Sequence, residues 1–108
     1  MRPRPAGLYS EIEYAICRLA FEKREWENAV RHCGLSANET NHERARKMLG
    51  QLAARTRRLY LEGYVMEGID PDAALRRYRE ALRSAPPGDP FGAKAGRKMK
   101  AIEGVRRH

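Results

Sequence analysis

Apolar residues along this chain recur at intervals of three and four positions and nowhere alternate with a period of two. That spacing is the mark of helices that each bury one stripe, and it argues against a sheet. A first helix is predicted from Leu8 or Tyr9, with Ile12, Ala15, Ile16, Leu19 and Ala20 as its inward stripe. Lys23-Arg24-Glu25 is polar and reads as a turn. Trp26, Ala29, Val30 and Cys33 then form the stripe of a second helix. Gly34-Leu35 should end it, because glycine accepts the left-handed conformation and the next apolar residue folds back on the last turn. Thr40 and Glu43 have the spacing of a capping box for a third helix. Ala45, Met48, Leu49, Leu52, Thr56, Leu59, Tyr60 and Gly63 continue it towards Gly68, a run of roughly 25 residues, long for a globular helix. Asp70-Pro71-Asp72 opens a fourth helix with a carboxylate cap and a proline at the first position. Ala74, Leu75, Tyr78, Ala81 and Leu82 should face inward there. After the break at Pro86-Pro87-Gly88, Asp89-Pro90 repeats the start signal for a fifth helix, with Phe91, Ala95, Met99 and Ile102 inside. The expectation is an all-α protein of about five helices. Residues 1–8 are expected to form a flexible arm, 9–104 the helical domain and 105–108 a basic tail.

Ala74, Tyr78, Ala81 and Pro86 stand at the spacing of the second-helix motif of the tetratricopeptide repeat, and the chain resembles that family here. Alanines let neighbouring helices approach, the aromatic ring fills the gap and proline ends the helix. Leu59, Gly63 and Tyr60 or Tyr64 approximate the motif's first helix, although the turn before Ala74 is one residue short. Upstream, Trp26 and Ala29 fit, while Cys33 and Ser36 replace the aromatic and the second alanine. The repeat period of the family is about 34 residues. Ala29 and Ala74 are 45 apart, an excess that added turns in the third helix would absorb. The resemblance implies a right-handed array of antiparallel helix pairs, closed by the fifth helix as a polar-faced cap. It also implies a scaffold or chaperone that holds peptides or helices in a groove.

Charge sharpens this picture. The net charge is +8 over 108 residues. Residues 1–30 carry five basic and five acidic side chains, so the excess lies downstream. Such a field draws in acidic partners or nucleic acid and says nothing about fold. No window approaches the ~18 consecutive apolar residues of a membrane span, and no export signal is evident, so membrane insertion is not expected. Two cysteines, Cys17 and Cys33, are too few for a disulfide scaffold. They are expected to be reduced thiols filling the core of a cytoplasmic protein.

Three groups of residues are candidates for partner binding. Tyr14, Arg18 and Phe21 lie opposite the predicted inward stripe of the first helix, on the positions that line the groove in the family. Arg44, Lys47, Gln51, Arg55 and Arg58 step down one flank of the third helix towards Glu62. Lys94, Arg97, Lys98, Lys100, Arg106 and Arg107 make a dense basic tail against the single acid Glu103. Arg76, Arg79 and Arg83 form a further stripe that reads as a solvated face, with Glu80 close enough to pair. The lysines and asparagines of the family's carboxylate clamp are missing: the corresponding positions are Glu11, Tyr14, Arg18, Phe21 and Glu22. His32, Cys33 and His42 lack metal-ligand spacing, and Gly92 and Gly96 lack the ending of a phosphate loop. Neither a cofactor, a metal nor enzyme activity is expected. The expected function is a protein–protein interaction module, an adaptor or small chaperone that binds an acidic or amphipathic segment, alone or as a homo-oligomer or part of a larger assembly. The competing reading is a helical nucleic-acid-binding protein driven by charge.

Overall fold

A computed structural model describes residues 6–40 and 42–106. These form α1 (Ala6–Glu22), α2 (Trp26–Thr40), α3 (Glu43–Met66), α4 (Pro71–Arg83) and α5 (Pro90–Arg106), with no strand among the described residues. The expected all-α fold is found. The chain divides into two compact units, Met1–Leu52 and Ala53–His108, and the division falls inside α3.

In the first unit α1 and α2 run antiparallel. Arg24 closes the turn in the left-handed region, at φ 61. Its amide donates to Phe21 O at 3.1 Å and the Glu25 amide donates to Ala20 O at 2.8 Å, the pair of bonds that ends a helix when the residue after it turns left-handed. Glycine usually takes that position; here arginine does. Cys17, Ala20, Ala29, Cys33, Ala45 and Leu52 are buried, with Trp26, Val30, Ala37, Met48 and Leu49 packed around them. Cys17 and Cys33 are joined in a disulfide, their Cα atoms 5.3 Å apart. This corrects the expectation of free thiols, and the argument for a reduced, cytoplasmic protein loses its basis. Their place in the core is as predicted.

The face of α1 is also corrected. Ile12 (43% exposed), Ile16 (39%) and Leu19 (52%) point outward, and only Ala20 of the predicted stripe is buried. The inward residues are Ser10, Glu13, Cys17 and Ala20. They are inside because α2 offers each polar one a partner. Ser10 Oγ lies 2.8 Å from Ser36 Oγ, Thr40 donates to Ser10 Oγ at 2.7 Å, and Glu13 meets His32 Nδ1 at 2.5 Å. Buried polar groups are tolerated when so matched. Further differences concern the ends. α1 begins at Ala6, so residues 6–8 are helical; the rest of the predicted arm lies outside the described residues. α2 runs through Gly34-Leu35 to Thr40. Thr40 serves the serine cluster, and the cap of α3 comes from His42, whose Nδ1 accepts the Ala45 amide at 3.3 Å.

The second unit is built around Tyr78. It is fully buried with Leu59, Ala74, Ala81 and Ala95, and Tyr60, Met66, Met99 and Ile102 pack on that cluster. Gly63 lets the ring approach: a Cβ there would stand 2.7 Å from Tyr78 Cε1. The Tyr78 hydroxyl donates to Glu67 at 2.9 Å, and burial, reinforced by that carboxylate, pushes the phenol well above its ordinary range. The two aspartate starts hold. Asp70 accepts the amides of Asp72 and Ala73 at 3.1 and 3.2 Å, and Asp89 accepts that of Gly92 at 2.9 Å. Gly92 permits close approach of Ala85, whose Cβ would be 2.7 Å from an added Cβ. Leu82, predicted inside, is 38% exposed because Ala81 and Ser84 take the inward positions at that end of α4.

Candidate functional site

The two aromatics of the predicted stripe on α1 are partly buried against their own unit, and its arginine is not. Tyr14 is half-buried and stacks on His42, with ring centroids 4.9 Å apart and planes at 13°, while the Arg44 guanidinium lies 4.8 Å over its ring. Phe21 meets Trp26 edge-on at 5.4 Å. Both aromatics pack against the buried cluster of the first unit. Arg18 is exposed. Because His42 Nδ1 accepts an amide, its Nε2 carries the proton and donates to Glu11 at 2.8 Å. Arg44 adds two bonds to the same carboxylate, at 2.9 and 3.1 Å. The His42 hydrogen bond, helped by Arg44, holds the Glu11 carboxyl below its ordinary value.

The basic flank of α3 separates into different roles. Lys47 is exposed and pairs with Glu43 at 3.8 Å, and Gln51 is exposed. Arg55 is a packing residue: it donates to Glu80 O and to Ser84 Oγ, both at 3.2 Å, and pairs with the Glu80 carboxylate at 3.4 Å. Its place on a free cationic line is therefore corrected; the Thr56–Ser84 hydroxyl pair beside it supplied a polar interior. Arg58 is exposed and approaches Glu62 at 3.7 Å. On α4, Arg83 pairs with Glu80 at 3.0 Å, as its spacing suggested, and Arg76 and Arg79 are exposed. The tail is likewise divided. Lys98 pairs with Glu67 at 3.2 Å and lies over the Tyr64 ring, so it belongs to the packing of the unit. Lys94 sits 5.0 Å from the Phe91 ring, and Arg97 and Lys100 are exposed. Arg106 ends α5, and Arg107 lies outside the described residues.

What sequence reasoning did not single out is a groove of about 710 Å³ along α3 in the second unit. Ala54, Leu61, Val65 and Met66 give it an apolar floor. Arg57, Arg58 and Glu62 of α3 and Arg77 of α4 form its rim. Leu61 (45% exposed) and Val65 (67%) are open to solvent. Glu62 receives both Arg58 and Arg77, the latter at 3.4 Å, while the Arg57 guanidinium lies 5.6 Å over the Phe91 ring. The signal was present: Ala54, Leu61 and Val65 recur at helical spacing on α3, apart from the series that ends at Leu59 and Gly63.

Among the described residues no group of three or more His, Cys, Asp or Glu side chains could hold a metal ion. Among the same residues no helix is long and apolar enough to cross a membrane. Comparison of the chain with protein-family models, with curated proteins and with solved structures finds no match.

Proposed function

We propose that this chain is a helical interaction module, of tetratricopeptide type in its second unit, that holds an acidic amphipathic helix of a partner protein in the groove along α3. The observation that carries this reading is the combination of an apolar floor with an arginine-rich rim. Leu61 and Val65 offer apolar area to a partner, and each large aliphatic group buried in return is worth about 1.5–3 kcal/mol. A helix laid in a groove presents anchors at positions i, i+3 or i+4, and i+7. Arg57, Arg58 and Arg77 exceed the charge of Glu62, so carboxylates flanking those anchors complete the match and speed encounter. On this reading the protein is an adaptor or small chaperone that acts by binding, with no chemical step.

A library of helical peptides, displayed and selected against the whole chain, tests it. The selected sequences should carry aliphatic anchors at helical spacing with acidic neighbours. Val65→Asp should weaken them at least tenfold, and Arg57→Glu with Arg77→Glu should abolish the acidic preference. Binders that ignore Val65→Asp would remove the groove from the function. A parallel titration with nonspecific RNA and DNA addresses the charge-driven reading: tight binding that collapses as salt rises would replace the peptide reading with a phosphate-backbone one.

A further inference from the structure

The outward face of α1 is apolar, and it lies in the first unit, separate in residues from the groove on α3. Leu8, Ile12, Ile16 and Leu19 are each between 39% and 56% exposed, and Ala15 beside them is exposed as well. Leu8, Ile12, Ala15 and Leu19 follow one another at intervals of four, three and four. That is the spacing of a coiled-coil seam, with leucine and isoleucine at its core positions. A contiguous apolar stripe on a water-facing helix is the kind of patch that marks an interaction surface on a monomer.

We infer that α1 pairs with α1 of a second copy of this chain, antiparallel, about a two-fold axis near the middle of the helix. Under that symmetry Leu8 of one copy packs on Leu19 of the other, and Ile12 packs on Ala15. Each large residue is thus set against a partner across the axis, with the bulk of Ile12 opposite the small Ala15. Ile16 lies on the flank of the seam, facing the region of Tyr9 in the second copy. On the other flank Arg18 comes opposite Glu11, twice by symmetry. The contact is isologous, the same patch on both chains, which is how most soluble dimers close.

Charge selects the orientation. In a parallel pairing Arg18 would approach Lys23, just past the end of α1 in the other copy, placing like charges together beyond the end of the seam. The antiparallel pairing sets Arg18 against a carboxylate instead. Glu11 already holds His42 and Arg44 of its own chain, so this pair adds orientation more than strength, and the apolar layers carry the affinity. The seam is short, spanning Leu8 to Leu19, about 16 Å of helix at 1.5 Å per residue. A contact of that length is small beside the ~1,200–2,000 Å² of stable specific interfaces. A reversible dimer in the micromolar range is the expected result.

Sedimentation equilibrium of the whole chain across micromolar concentrations reads this directly. The wild-type protein should pass from monomer to dimer. Ile12→Asp, and independently Ala15→Arg, should leave it monomeric over the same range with unchanged helical circular dichroism. Arg18→Glu should weaken the dimer about tenfold, the scale expected of a charge reversal opposite a carboxylate. Spin labels at Gly7 should report separated helix starts in the dimer, as the antiparallel orientation demands. A chain monomeric throughout the range would overturn the inference. So would a dimer that survives both Ile12→Asp and Ala15→Arg, or one whose labels at Gly7 lie side by side. None of these outcomes bears on peptide capture by α3, since Leu61, Val65 and Arg77 are untouched.

Discussion

Replacing Gly63 by alanine sets two effects against each other on one helix. In a helix interior the change favours folding by about 0.8–1.0 kcal/mol, through backbone entropy alone. At Gly63 the new methyl would meet the Tyr78 ring at 2.7 Å from Cε1, 2.8 Å from Cδ1 and 3.1 Å from Cζ. The ring has nowhere to go. It is fully buried, its hydroxyl is fixed by Glu67, and the Tyr60 ring packs beside it at 5.6 Å. Forcing an extra methyl into such a site costs about 1–3 kcal/mol. The clash should win, with a net loss of up to ~2 kcal/mol. Gly96→Ala in α5 is the control within the same unit. There the new methyl finds only Leu82 Cδ2, at 4.0 Å, an ordinary contact, so the propensity gain should survive. Urea unfolding followed by far-ultraviolet circular dichroism measures both variants. In thermal scans each kcal/mol corresponds to about 4–8 °C for a domain of this size. A double variant closes the cycle: with Tyr78→Leu in place, Gly63→Ala should turn from destabilising to neutral or better. Should Gly63→Ala stabilise as much as Gly96→Ala in the parent chain, the packing of Tyr78 against α3 would be wrong.

Two further outcomes concern the first unit. Reducing Cys17–Cys33, which are 16 positions apart, should destabilise it by about 3 kcal/mol on the loop-closure scale, read as a lower melting temperature with reductant; full alkylation of both thiols in unfolded protein kept free of reductant would refute the link. Glu11 supplies the acid response. Its lowered carboxyl contributes stability that is fully present above the ordinary value of 4.5 and is lost as pH falls below that value through the folded one. Glu11→Gln should therefore flatten the acid limb of the stability profile, and an unchanged limb would show that the bonds from His42 and Arg44 to Glu11 do not form.

The helices themselves were readable because their signals are local. Asp70-Pro71-Asp72 and Asp89-Pro90 mark starts by chemistry confined to one turn, and both occur where expected. The inward residues of α3 from Ala45 to Gly63 followed from periodicity because only one face of that run is continuously apolar or small. α1 defeated the same reasoning. Its hydrophobic wheel is apolar on more than one side, and the face that is buried is the one holding Ser10, Glu13 and Cys17. Those residues turn inward only because Ser36, His32 and Cys33 stand opposite on α2. Such matching is a relation between helices, and no window along one helix contains it. The candidate residues fared unevenly for the same reason. Arg58 does lie on the rim of the groove, whereas Arg55 and Lys98 looked identical in sequence and are taken up by Glu80 and Glu67. A lysine or arginine shows its charge in the sequence; whether an acid is waiting for it depends on the fold.

Glu67 lies just past the end of α3 and belongs to no helix, yet one oxygen takes the Tyr78 hydroxyl of α4 and the other the Lys98 ammonium of α5. Three segments of the second unit thus meet on a single clasp. A change at this one position would loosen a buried aromatic and a cation together. Tolerance to substitution should therefore fall sharply at a site that a scan of hydrophobicity would pass over as ordinary loop.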